Sequence, residues 1–167
     1  MSLLGEEAPD FTLESTAGQD VTLSETLDRG PTVVIMFRAA WCSFCAEQLQ
    51  TFSALAYDLW YNHDTDVLPV SSDSLGNLTE MRDRYDLKIQ LLSDPDYAVT
   101  REYTEVMEHD WRDDYTRSGT FVVDEDGTVR YEQIAEAATD RTHANFLRSF
   151  IKRGYEDVYG TTSGNSV

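Results

Sequence analysis

Val33-Val34-Ile35-Met36-Phe37 runs within three residues into Trp41-Cys42-Ser43-Phe44-Cys45, which holds the only two cysteines of the chain. The run is apolar at every position, as a strand buried on both faces of a sheet requires. A helix-compatible segment, Ala46 to Tyr61, follows at once, with Leu49, Phe52, Ala56 and Leu59 at three- and four-residue steps marking its core face. A Cys-x-x-Cys carried from a buried strand into a helix start is placed to be reactive. The first-turn N–H groups lack partners and the helix dipole is positive there, so a thiolate is stabilised. The thiolate is the nucleophile, and a lower pKa raises its population near neutral pH.

Other uses of the pair fit less well. A disulfide across two residues closes almost no loop, so it constrains the unfolded chain little. Structural zinc needs four ligands, and His63, His109 and His143 do not stand at paired ligand spacing. A reversible dithiol/disulfide is the reading that remains.

The 167 residues suffice for one domain, 1–167, with a real core, and 160–167 read as a frayed tail. The early acidic residues Glu6, Glu7, Asp10 and Glu14 argue against a secretory signal, and no apolar run reaches membrane-span length. The expected location is the cytoplasm, where Cys-x-x-Cys is catalytic more often than structural. Asp and Glu number 31 against 13 Lys and Arg, for a net charge of −18. Nucleic acid and anionic membranes are therefore poor partners. Self-repulsion at this density opposes the compact state unless salt screens it. The composition thus points to a high-salt, halophilic setting.

Around the central strand and helix, Phe11–Leu13 and Val21–Leu23 read as an N-terminal hairpin, and Ser24–Leu27 as a helical turn capped by Ser24. Asp66–Ser71 reads as a second inner strand, with Pro69 marking an end or bulge. Leu75–Tyr85 is a polar surface helix, Ile89–Leu92 a short strand, Asp96–Val106 a helix and His109–Arg117 a loop. Thr120–Asp124 and Thr128–Gln133 form a hairpin around Glu125-Asp126-Gly127, and Asp140–Arg153 closes the chain as a helix. Asp124-x-Asp126-Gly127 starts like a calcium loop, but turn chemistry between strands explains it better. The order gives an α/β chain with a central mixed sheet and helices on both faces.

With this order and motif the chain resembles the thioredoxin-fold redoxins, and among them the AhpC/TSA peroxiredoxin branch. Gly5-Glu6-Glu7-Ala8-Pro9-Asp10-Phe11-Thr12-Leu13 is similar to that family's opening. Val70–Ser74 and Leu91–Pro95 are similar to two internal landmarks, and Arg117-Ser118-Gly119-Thr120-Phe121-Val122-Val123-Asp124 to the closing strand pair. The resemblance implies a thioredoxin-like fold and a thiol-dependent antioxidant oxidoreductase acting on peroxides or disulfides. It implies no cofactor, an external reductant (thioredoxin-like or a low-molecular-weight thiol), and pairing of copies into a homodimer. Peroxiredoxins carry Pro-x-x-x-Thr-x-x-Cys, and setting that cysteine on Cys45 puts Arg38 at the Pro and Cys42 at the Thr. Trp41-Cys42-x-x-Cys45 is instead similar to the thioredoxin site.

Two routes stay open. Cys45 attacks a peroxide and Cys42 resolves it, or Cys42 attacks a disulfide and Cys45 resolves it. The supporting candidates are Arg38, on the loop entering the motif, and Arg117, one residue ahead of the family's arginine position. Trp41 is expected to shield the dithiol, and Gly119 and Thr120 open the closing strand where thioredoxins place a cis-proline. Metal delivery and a redox-silent binding module are the non-enzymatic alternatives. If salt screening offsets the surface charge, the melting temperature should climb as KCl rises to molar levels; a flat or falling curve would remove the halophilic reading.

Overall fold

The strand before the cysteine motif is the axis of the sheet. In the computed structural model, which describes residues 2–156, β3 (Thr32–Met36) is buried at every position. Val33, Ile35 and Phe37 enter one core and Val34 and Met36 the other, because successive side chains alternate across a strand. On one side β3 pairs in parallel with β4 (Asp66–Ser71), and on the other it pairs antiparallel with β8 (Gly119–Val123). β5 (Leu92–Ser93) continues the parallel side, and the hairpin of β1 (Thr12–Ser15) and β2 (Asp20–Thr22) closes that edge. β9 (Val129–Ile134) forms the opposite edge. The sheet order is β2-β1-β5-β4-β3-β8-β9, and the fold is thioredoxin-like, with the expected N-terminal hairpin.

The long helix α2 (Ser43–His63) buries Leu49, Phe52 and Leu59 against the first core. α3 (Leu75–Arg84) adds Leu78 and Met81, and α5 (Ala144–Lys152) adds Leu147 and Phe150, with Phe146 and Ile151 packed at the margin. The second core is covered by Leu23 of α1 (Leu23–Leu27) and by Val99 and Tyr103 of α4 (Ala98–Tyr103).

Several local expectations shift. Thr22, not Ser24, stands at the N-cap position of α1 without a side-chain capping bond, and the Ser24 N–H instead donates to Asp10 Oδ1 at 2.9 Å. Pro69 makes no bulge: it keeps register with Ile35, and β5 joins the other flank only at Val70 and Ser71. α4 is shorter than the predicted Asp96–Val106, since a buried carboxylate fixes its start. Asp94 Oδ1 accepts from Val99 N at 3.2 Å, and Oδ2 accepts from Thr100 N at 2.8 Å and Thr100 Oγ1 at 3.0 Å.

The predicted loop His109–Arg117 is overturned. β6 (Val106–His109) and β7 (Arg112–Thr116) form a separate two-stranded antiparallel hairpin. Its polar residues gave no apolar alternation to read. Cross-strand contact supplies the stability instead: the His109 ring stacks on Tyr115 at 5.4 Å, and Nε2 meets the Tyr115 hydroxyl at 3.0 Å.

The acidic turn at 124–127 behaves as turn chemistry predicts. Asp124 Oδ1 accepts from Asp126 N at 2.9 Å and Thr128 N at 3.0 Å, while Arg130 Nε donates to Oδ2 at 2.6 Å. The proposed tail at 160–167 lies outside the described residues. Removing the Asp94 carboxylate would leave buried N–H donors unpaired. Asp94→Ala should therefore lower stability by about 2–3 kcal/mol in urea unfolding, and a cost under half a kcal/mol would contradict this role for Asp94.

Candidate active site

β3 ends at the sheet margin, and the loop from Arg38 carries the chain to the start of α2. Asp73 pins that loop by accepting from Ala40 N at 2.6 Å. Cys42 is the N-cap residue of α2, with extended backbone, and its Sγ accepts from Cys45 N at 3.3 Å. A sulfur thus takes the place of the usual capping oxygen. Cys45 lies one turn inside, fully buried, and its Sγ accepts from Arg38 N at 3.4 Å.

A buried arginine that the sequence reading did not single out faces both sulfurs. Arg141 is 3% exposed, and its Nη2 lies 3.7 Å from Cys45 Sγ and 4.0 Å from Cys42 Sγ. Its Nη1 donates to Asp140 O at 3.0 Å, and its buried Nε has no hydrogen-bond partner among the described residues. The loop after β9 holds it in place. Asp140 Oδ2 accepts from Glu136 N and Ala137 N, and Thr142 bonds Tyr131 and Gln133. Gln48 of α2 ties this loop to the sheet, its Nε2 donating to Thr142 O at 3.1 Å and to Thr120 Oγ1 at 2.9 Å.

The two thiols are driven apart. A hydrogen bond from the Cys45 thiol holds Cys42 well below its ordinary value, against the opposing effect of burial, with the Cys45 N–H and the Arg141 charge adding to it. Burial pushes Cys45 up, reinforced by the hydrogen bond to Cys42 and the negative charge there. These opposite shifts favour the thiolate at Cys42 and the proton at Cys45.

The other expected residues take different places. The Arg38 guanidinium lies over the Tyr115 ring at 4.8 Å and the Trp41 ring at 5.8 Å, so its contact with sulfur is through backbone N–H. Arg117 is turned to Glu105 and Ala135 O. Ser118, the family's usual arginine position, sets its Oγ 3.9 Å from Cys45 Sγ. Trp41 is 56% exposed and packs edge-on against Tyr115, with Arg112 over its face at 4.6 Å. It forms the rim of the site with the β6–β7 hairpin. Thr120 acts through Gln48. Gly119 leaves room, since a Cβ there would come within 2.9 Å of Thr104 Cγ2. No sequence motif flags Arg141, which lies 96 residues from Cys45. Among the described residues, no three His, Cys, Asp or Glu side chains gather as a metal cluster would require.

Residues 4–132 match the AhpC/TSA family model. The chain belongs to the AhpC/TSA family. A Mycobacterium tuberculosis protein that carries the name peroxiredoxin is 32% identical over 139 residues, covering 81% of this chain and 87% of that one. The rice chloroplastic peroxiredoxin Q is 30% identical over 127 residues, or 76% of this chain. The match spans 57% of the rice protein's length. Among solved structures, the peroxidoxin BcpB of M. tuberculosis superposes with a TM-score of 0.72 at 20% identity, covering 93% and 94% of the two chains. At that identity the likeness concerns the fold. Against the family pattern, the guanidinium beside the sulfurs in this AhpC/TSA member comes from the loop after β9, not from the start of β8.

Arg141→Gln should raise the Cys42 thiolate pKa by about one unit, read from thiolate absorbance against pH. Arg38→Ala, which keeps the backbone N–H, should move it less. Equal shifts would return the role to the Arg38 side chain.

Proposed function

We propose that the protein is a thiol-dependent oxidoreductase of the peroxiredoxin type, reducing peroxides through a reversible Cys42/Cys45 dithiol. One observation carries this: two cysteine sulfurs and a buried guanidinium share one cluster at the start of α2. Cys42 is the proposed attacking residue, although Cys45 occupies the family's peroxidatic position, because Cys42 caps the helix and its hydrogen bonds hold its pKa down.

The Cys42 thiolate attacks the terminal peroxide oxygen, and the O–O bond breaks. The leaving oxygen takes a proton and departs as alcohol or water, while Cys42 becomes a sulfenic acid. Arg141 sits where it can stabilise charge on the sulfur and on the breaking bond. The Cys45 thiol then condenses with the sulfenic acid, releasing water and forming the Cys42–Cys45 disulfide. Two electrons from an external thiol reductant restore the dithiol. The cycle needs no prosthetic group, and a cytoplasmic, high-salt setting belongs to the same proposal.

The capping position and low pKa of Cys42 also favour a second reading, a thioredoxin-like reductase of protein disulfides. Stoichiometric peroxide against Cys42→Ser and Cys45→Ser in molar KCl separates the readings, using intact mass and stopped-flow rates. Cys45→Ser should turn rapidly to a sulfenic or sulfinic acid and Cys42→Ser only slowly. Fast oxidation of Cys42→Ser instead would make Cys45 the attacker. Slow reaction in both, with mixed disulfides trapped by Cys45→Ser, would make the protein a disulfide reductase.

A further inference from the structure

Beside the dithiol lies a cavity of about 310 Å³ whose wall includes Arg38, Arg117, Arg141 and Ser118 together with two carboxylates, Glu105 and Glu136. Three guanidiniums around one small cavity stand out in a chain with only 13 basic residues and a net charge of −18. Their free valences differ. Arg117 is neutralised by Glu105. Arg38 forms no ion pair with a carboxylate among the described residues. Arg141 is 3% exposed, and its Nε is unpartnered among the described residues.

In the reduced protein Arg141 Nη2 lies 3.7 Å and 4.0 Å from the two sulfurs, so a thiolate on the pair balances its charge. The disulfide carries no charge, so oxidation removes that counter-ion and leaves the buried guanidinium uncompensated. An uncompensated buried cation is costly. Anion affinity of the cavity must therefore be higher in the disulfide form than in the dithiol form, and by linkage the anion favours the disulfide state. An anionic ligand would enter on oxidation and be released when the thiolate returns.

We infer that this cavity is the docking site for a small carboxylate-bearing thiol that serves as the reductant. The inference rests on the reversible dithiol proposed above and names the class of molecule that regenerates it. A carboxylate matches the planar guanidinium fork of Arg141 and the unpaired Arg38. Arg141 also touches both sulfurs, so a carboxylate held there brings its own thiol close to them. The thiolate of the reductant attacks Cys42 Sγ, the outer sulfur, and the Cys42–Cys45 bond breaks. Cys45 leaves as a thiolate beside Arg141 and takes up a proton. A second reductant thiolate attacks the mixed disulfide, releasing Cys42 as thiolate and the small-molecule disulfide. Two thiols are thereby oxidised and one protein disulfide is reduced.

The test starts from protein oxidised with diamide, so it runs whether or not peroxide oxidises the pair. Reduction rates by mercaptopropionate and by mercaptoethanol are compared at low salt, each corrected for thiolate fraction and for its rate on a small disulfide. The carboxylate thiol should be faster by about tenfold, the equivalent of one satisfied charge contact, despite the acidic surface. Arg38→Gln and Arg141→Gln should each bring the ratio toward one. Propionate, which cannot react, should raise the melting temperature of the disulfide form more than that of the dithiol form. Equal or slower reduction by mercaptopropionate, a preference that survives both substitutions, or equal propionate shifts in the two forms would overturn the assignment. Failure of peroxide to oxidise the dithiol would instead count against the peroxidase reading alone.

Discussion

A guanidinium held 3.7 Å and 4.0 Å from two sulfurs, with almost no solvent around it, constrains everything nearby. Burial of a cation is unfavourable without an anion, and the anion available is a thiolate. The helix start supplies the thiolate position, because Cys42 caps α2 and accepts its N–H. Burial of the fully enclosed Cys45 raises its pKa and favours its thiol form, which can donate to Cys42. The asymmetry between two chemically identical side chains thus arises from the deeper burial of Cys45 and the hydrogen bond between the two sulfurs, while the Arg141 charge lowers both.

The scaffold serves that placement through a few buried polar groups. Gln48 joins α2 to Thr120 and to the loop carrying Arg141, so three segments far apart in sequence share one hydrogen-bonded link. Asp140 closes the loop on itself, and Thr142 binds it to β9. Such links are costly to bury singly and effective as a connected set. On the other side the β6–β7 hairpin brings Tyr115 under Arg38 and against Trp41, so the rim is built from cations laid on aromatic rings.

The charge of the site and the charge of the surface oppose each other. The chain as a whole is strongly acidic, yet the cavity by the dithiol gathers three arginines against two glutamates. The local cations decide the chemistry there because interactions at short range and low exposure are screened least.

The sequence by itself determined the strand, the cysteine pair and the helix that follows, because a five-residue apolar run and a three- and four-residue stripe are local patterns. It also determined the closing hairpin, through the turn at 124–127, and the family, through motifs in fixed order. The two cysteines were legible as the chemical centre because no other pair exists. Only the tertiary structure decided which cation meets the sulfurs. Arg38 and Arg117 stood near the motif or in a familiar position, but Tyr115 and Glu105 engage their side chains. Arg141 arrives from a loop that no local pattern marks, because its burial depends on how α2, β9 and the loop before α5 close together. The β6–β7 hairpin escaped for the same reason: its strands are polar, and what holds them is contact across the pair, which periodicity along one strand does not record.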